Sequence, residues 1–383
     1  MKQSSKSTTH LLVFIYSMGD GGAERVTASL ANYWVTQGRA VTIVTLAPQS
    51  TDLFELHPDV QRISLGLASE SATIWVGLWR NFSRVLALRR LLRQLKPDIA
   101  IGMMTRANVV LAFAAWGLSQ IKTIGCEHNY PKDRSEGRLW DFLRRHSYGL
   151  LDVVTGLTTE GKAWLAGNTR TKTAVVMPNP MLWPLPVNEP RLLPPVSGRR
   201  ILLAVGRMVE QKSFDILIEA FSNLAPVHSE WDLWILGDGP LRPALEQQIQ
   251  ALGLQNRVFM PGRGGNISEW YERADLYVLS SRFEGLPMTL IEAMAYGVAA
   301  VSFDCNTGPR DIIRHEVDGL LVPPEDSAGL SAALARLMGD EATRQRFAER
   351  ALEARERFSM ARITGLWEQL FEEPKPSEAV SKR

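Results

Sequence analysis

Cysteine is almost missing from this chain. Among 383 residues only Cys126 and Cys305 occur, far apart and without metal-ligand spacing, which leaves neither a disulfide framework nor a cysteine-based zinc site. Long apolar runs are missing too. The longest, such as VVLAFAAWGL at 109–118, fall well short of the ~20 residues that cross a bilayer. The polar start MKQSSKSTTH leads into the short run LLVFIY and has neither the apolar core nor the cleavage site of a secretory leader. A cytoplasmic location is the expectation. Asp-x-Asp occurs nowhere, so a carboxylate pair at that spacing for a divalent cation is not evident. A charge excess of one sign is absent as well, with a net charge of +2.

That small net charge hides an asymmetry. Residues 1–197 carry 22 Lys and Arg against 14 Asp and Glu, and the remainder carries 21 against 27. A basic half joined to an acidic half suggests that the first half faces something anionic.

What is present is a repeated βαβ rhythm. LLVFIY (11–16), AVTIVTL (40–46), PDIAIGM (97–103), KTIGCEH (122–128) and DVVTGL (152–157) read as buried parallel strands separated by helical segments. Seven prolines between 178 and 198 cannot continue a helix or a central strand. The pattern then restarts with RILLAVGRM, WDLWILGDG, RVFMPG, DLYVLSS and VAAVSFD. The expected architecture is α/β, with two doubly wound domains at 10–182 and 199–357. A Pro-rich linker at 183–198 joins them, and a final helix at 358–373 closes the chain. Such sheets bind ligands beyond the carboxyl ends of their strands, so the cleft between the domains is the natural site.

The richest segment is SSRFEGLPMTLIEAMAYG at 280–297. Pro287 suits the first position of a helix. The N–H groups of Met288, Thr289 and Leu290 would then be unpaired at the positive end of the helix dipole, a place for a diphosphate. Glu284 precedes that end and Glu292 lies about one turn inside it. Two acids at this spacing are usually solvated, and their company is what argues otherwise. Arg207, after a strand, and Lys212, before a helix, can neutralise a leaving diphosphate, the first as a fork and the second as a point charge. Gly21 and Gly22 follow the first strand and open a helix, which lets a phosphate or sugar approach the backbone. The run is not a dinucleotide fingerprint, because Glu24 stands where the third glycine would be. His128 closes a strand and can serve a substrate hydroxyl. The P-loop-like run from Gly156 to Lys162 fails at Ala163. Gly237-Asp238-Gly239-Pro240 is a turn by composition.

Segment 78–96 carries Arg80, Arg84, Arg89, Arg90, Arg93 and Lys96 with no acid, and a stripe from Trp79 to Leu95 at helical spacing. Such a helix can lie on an anionic membrane, or it can be an ordinary domain helix with a solvated basic face. Lys132, Arg134, Arg138, Arg144 and Arg145 add to the charge. No nucleic-acid module accompanies them.

Together, GGAERV (21–26), EHN (127–129), GR (206–207) with QK (211–212), GDGP (237–240), EGLPMTLIEAMAYG (284–297) and TGP (307–309) resemble the retaining family-4 glycosyltransferases of GT-B fold. GGAERV with EHN is most similar to bacterial enzymes adding N-acetylhexosamines to undecaprenyl-diphosphate-linked glycans. Arg310-Asp311 departs from the small residue and Glu that more often follow TGP. The resemblance implies two Rossmann-like domains facing across a cleft, with the final helix crossing back onto the first. It implies a UDP-linked sugar as co-substrate, no cofactor or metal, and a lipid-linked acceptor at the inner face of the cell membrane. By the same resemblance Glu292 takes the ribose, the backbone at Pro261, Gly262 and Arg263 meets the base, and Arg207, Lys212 and residues 288–290 hold the diphosphate. Glu284 orients the donor sugar, Gly21 and Gly22 close over it, and His128 meets sugar or acceptor. Arg84, Arg89, Arg90 and Arg93 would face the membrane. The alternatives are a nucleotide-sugar epimerase or hydrolase of the same fold, or a non-catalytic sugar-nucleotide-binding protein at the membrane.

Overall fold

A computed structural model of the chain describes residues 9–68, 74–133, 135–195 and 198–375; Arg134 and the polar tail from 376 lie outside them. The chain forms two compact units. One holds the described residues up to Pro180 together with those from Ile363, and the other runs from Met181 to Arg362.

The first unit is a seven-stranded parallel sheet. Its strands are β1 (His10–Ile15), β2 (Ala40–Thr45), β3 (Gln61–Ser64), β4 (Ile99–Met103), β5 (Lys122–Glu127), β6 (Val153–Gly156) and β7 (Ala174–Val176), in the order 3-2-1-4-5-6-7. The second unit has six parallel strands: β8 (Arg200–Val205), β9 (Trp231–Leu236), β10 (Val258–Gly262), β11 (Leu276–Leu279), β12 (Ala300–Phe303) and β13 (Gly319–Val322), ordered 10-9-8-11-12-13. Strand order reverses at β1/β4 and at β8/β11, the switch points where such sheets open a crevice. Strands covered on both faces must be apolar throughout, and Leu11, Leu12, Val13, Phe14 and Ile15 of β1 are all buried.

Each unit has its own core. Leu12, Phe14, Ala100 and Val154 meet the helix residues Leu88, Leu92 and Leu111 in the first. Leu202, Leu233, Ile235 and Val301 meet Leu217, Phe221, Leu334 and Phe347 in the second. Each fully buried Leu or Phe contributes about 1.5–3 kcal/mol.

The Pro-rich stretch is not a free linker. Residues from Met181 belong to the second unit, and Met181 donates its N–H to the Phe358 carbonyl at 2.8 Å in a parallel bridge with Ser359. Trp183 packs at a tilt against the Tyr296 ring at 4.6 Å and lies under the Arg355 guanidinium at 4.1 Å. The final helix, Met360–Glu372, returns to the first unit. Trp367 meets Trp34 edge-on at 5.7 Å, Glu368 takes a bidentate pair from Arg39, and the Lys122 ammonium donates to the Leu370 and Glu373 carbonyls.

The basic helix Ile74–Leu95 differs from the membrane expectation in one respect. Arg84 is buried, with Nε and Nη2 donating to the Leu67 carbonyl at 3.1 and 3.0 Å and Nη1 donating to Asn81 at 2.9 Å. Arg89 donates to the Ala114 and Trp116 carbonyls at 2.8 and 2.7 Å. Both guanidiniums therefore complete the fold instead of facing outward. Arg90 and Arg93 are exposed, as are Trp79, Phe82 and Leu86, while Leu88 and Leu92 are core. Among the described residues no helix is long and apolar enough to cross a membrane.

Candidate active site

In the second unit the carboxyl ends of β8, β9 and β10 are joined by glycine turns. The Gly206 N–H donates to the Leu236 carbonyl and the Gly237 N–H to the Gly262 carbonyl, both at 2.9 Å; Met208 pairs with Asp238 at 2.9 Å. A side chain at Gly237 would overlap the Gly206 carbonyl, and one at Gly239 would come within 2.5 Å of the Met208 carbonyl oxygen. Gly237 has φ +138 and Gly262 φ +105, conformations that L side chains rarely adopt. GDGP thus ties two strand ends together, and the turn itself begins at Gly239, whose carbonyl accepts from the Arg242 N–H at 3.1 Å.

Against this rim the structure joins two of the expected residues. Lys212 Nζ lies 2.6 Å from Glu284 Oε1, and both side chains are largely buried. Gly206 makes room for the lysine, whose Cε, Cδ and Cγ lie 3.0 to 3.3 Å from where a Cβ would stand. Arg282 and Phe283 fasten the glutamate loop to the lysine turn: the Arg282 N–H donates to the Gln211 carbonyl at 2.8 Å, and Gln211 Nε2 donates to the Phe283 carbonyl at 2.9 Å. Arg207, one residue beyond Gly206, is exposed, and its carbonyl accepts from the Val209 N–H at 2.8 Å.

The helix after Glu284 runs from Met288 to Ala295. Pro287 is its cap, one position earlier than expected, with φ −70. The Leu290 and Ile291 N–H groups both point to the Pro287 carbonyl, at 3.1 and 3.3 Å. Leu290 is therefore spent inside the first turn, and among the described residues the amides at this end without a backbone partner are those of Met288 and Thr289. Glu292 is buried and accepts from the Tyr271 hydroxyl at 3.2 Å; Tyr277 donates to Thr289 Oγ1 at 2.9 Å.

TGP acts as a clasp on this turn. Thr307 Oγ1 donates to the Glu284 carbonyl. Gly308, at φ +98, sits so close to Pro287 that a Cβ would come within 2.6 Å of its Cδ. Arg310, the departure from the family pattern, forms a bidentate pair with Asp304 at 2.8 and 2.9 Å. Tyr271, Tyr277 and Thr307 have no role that sequence spacing reveals. Only the TGP match pointed near them.

In the first unit, Gly21 caps the helix Gly22–Thr36. A side chain at 21 would overlap the Glu24 carboxylate, whereas one at Gly22 meets nothing within 4 Å. The chain's own acid thus leans over the helix end that the sequence offers to a phosphate. Burial raises the Glu24 pKa, against a hydrogen bond from Ser17 that lowers it. Glu24 also lines a cavity of about 180 Å³ beyond β1 and β4, with Ser17, Met104, Thr105, Arg106 and Glu136. Behind it, Thr105 Oγ1 donates to both Glu127 oxygens at 3.0 and 2.9 Å, and the Tyr148 hydroxyl donates to the same carboxylate. Burial raises the Glu127 pKa. His128, next along, is pushed down to about 4 by burial, and its Nδ1 has no partner among the described residues. It is a neutral imidazole at neutral pH.

The fold defines a two-domain α/β protein with a Rossmann-like parallel sheet in each unit. Residues 21–180 match the glycosyl transferase 4-like domain, and residues 189–354 match glycosyl transferases group 1. The chain belongs to the family-4 glycosyltransferases of GT-B fold. It is 28% identical, over 94% of its length and 98% of the relative's, to a Campylobacter jejuni α-1,4-N-acetylgalactosaminyltransferase acting on an undecaprenol-diphosphate-linked glycan. It is 37% identical over 300 residues to a Streptomyces coelicolor exopolysaccharide phosphotransferase, spanning 30% of that protein's length. The crystal structure of Anabaena HepE in complex with UDP superposes with a TM-score of 0.75 at 18% identity, over 94% of this chain and 99% of that one.

Proposed function

We propose that the protein is a retaining glycosyltransferase. It moves a hexose or N-acetylhexosamine from a UDP-linked donor to a lipid-linked glycan, in bacterial surface-polysaccharide or glycoprotein-glycan assembly. The Lys212–Glu284 pair at 2.6 Å carries the reading: a cation and a sugar-orienting acid are held together before the Met288–Ala295 helix, on which Glu292 is buried. The UDP complex of a similarly folded protein and the Campylobacter relative's lipid-linked glycan support it.

In this reading Glu292 takes the ribose hydroxyls and the backbone at Pro261, Gly262 and Arg263 meets the base. Arg207, Lys212 and the amides of Met288 and Thr289 stabilise charge on the departing phosphate. Preorganised donors of this kind are worth ~3 kcal/mol each. The sugar C1–oxygen bond to phosphate breaks as the bond to the acceptor oxygen forms on the same face, and the acceptor proton passes to the leaving phosphate oxygen. The first unit supplies the acceptor side, with His128 as a neutral hydrogen-bonding group. No metal is called on. The enzyme works peripherally at the inner face of the cell membrane.

Release of UDP from UDP-N-acetylhexosamine is measured with and without polyprenyl-linked glycan. Acceptor-dependent release is expected, and Arg207→Ala or Lys212→Ala should lower it about 100-fold or more with the fold intact. Acceptor-independent turnover would instead indicate an epimerase or hydrolase. Binding without any turnover would indicate a non-catalytic protein.

A further inference from the structure

The stretch after Pro180 is bonded to the loop that follows β10. Asn188 donates its N–H to the Gly265 carbonyl at 2.9 Å, and Gly265 returns one to the Pro190 carbonyl at 2.7 Å. Asn266, fully buried, continues this ladder with its side chain. Its Oδ1 accepts from the Leu192 N–H at 2.9 Å, and its Nδ2 donates to the Leu192 carbonyl at 3.0 Å. Trp270 Nε1 donates to the same carbonyl at 2.8 Å. A side chain at 265 would overlap the Asn188 carbonyl oxygen, so the close approach requires glycine. Neither segment is a strand; two backbone bonds and three side-chain bonds from Asn266 and Trp270 hold them together.

The bonded loop leaves the carboxyl end of β10, where Gly262 accepts from Gly237 on the rim described above. One side of the loop is therefore fixed by the sheet and the other by residues 188–192. Resting on the nucleotide reading of this unit, we infer that residues 188–192 belong to the donor site. They hold the 261–266 loop where its backbone meets the base, with Gly265 and Asn266 as positioning residues. A loop ordered in advance spares the ligand the cost of ordering it. The effect falls on the base end of the donor and not on its diphosphate, which is held by Arg207, Lys212 and the Met288 helix.

The full chain is titrated calorimetrically with UDP and, separately, with inorganic pyrophosphate. Wild type is compared with Asn266→Ala and Gly265→Ala, and with Arg336→Ala, which breaks an exposed bidentate pair with Glu316 in the same unit. The Kd for UDP should rise about tenfold in the first two variants, the loss of one or two buried hydrogen bonds. Their pyrophosphate affinity and kcat at saturating donor should stay at wild-type values, and Arg336→Ala should bind UDP normally. Where an alanine variant fails to fold, Trp270→Phe removes the indole donor to the Leu192 carbonyl and keeps an aromatic ring in its place. Folded variants that bind UDP as tightly as wild type overturn the inference, and so does a parallel loss of UDP and pyrophosphate. A wild-type chain that binds no UDP sinks the nucleotide reading beneath it.

Discussion

At Gly206 the absence of a side chain and the presence of Lys212 are one fact: the lysine stem occupies the space a Cβ would need. Residue-scale logic of this kind also governs His128. Its folded pKa of about 4 lies below the ordinary 6.5 because burial penalises the imidazolium. The unfolded chain takes up a proton below pH 6.5 while the folded chain resists until about pH 4. Stability from this group is full above 6.5 and falls as pH drops towards 4. Glu127, with its pKa raised by burial, acts with the opposite sign, losing stability as pH rises through its folded value. Urea unfolding of His128→Asn should therefore show a shallower loss between pH 6.5 and 4 than wild type, and an unchanged slope would assign the proton uptake to another group. The residues themselves were legible in the sequence, since Arg207, Lys212, Glu284 and Glu292 stand in recognisable motifs. Their pairings were not. Lys212 and Glu284 are 72 positions apart, and Thr307 and Glu284 are 23 apart; only the folded chain shows who holds whom.

Single elements show where periodicity misleads. A stripe drawn from Trp79 to Leu95 joins two different faces of the Ile74–Leu95 helix, because Leu88 and Leu92 enter the core while Trp79 and Phe82 are 71% and 53% exposed. Hydrophobicity at helical spacing cannot tell these faces apart, nor which guanidinium will find a carbonyl. For the proposed membrane contact this divides the four arginines. Charge reversal at Arg90 and Arg93 should lower cosedimentation with anionic vesicles and leave the melting temperature near wild type. Reversal at Arg84 should instead destabilise the fold, since an acid would face the Leu67 carbonyl. Vesicle binding that survives the first pair of changes would remove this helix as the membrane contact. The Met288 helix is a smaller lesson. Its existence and its one acid, Glu292, were readable, but Pro287 caps it from outside and Leu290 spends its amide within, so its start slipped by one residue.

For the whole molecule, the βαβ rhythm was readable because strands covered on both faces must be apolar throughout. β3, β7 and β13, short strands at sheet edges, escaped notice. The proline count marked the change of unit but not the side to which the stretch is fastened. The return of the chain after Arg362 has a measurable weight. Ending the protein there should deprive Trp34 of Trp367 and Phe371, at 5.7 and 5.6 Å, and leave Lys122 without its carbonyl partners. The first unit should lose about 3 kcal/mol or more, read as a lowered transition in calorimetry. UDP affinity should stay at its wild-type value, and a simultaneous loss of it would tie the tail to the donor site.

The bridge between Met181 and Ser359 brings the two ends of the second unit within a hydrogen bond of each other. In topological terms that unit is an insertion, entered and left through one narrow doorway. Insertions with adjoining ends are readily exchanged. A gene splice at these two points would exchange the whole second unit as a single cassette, leaving the host sheet uncut.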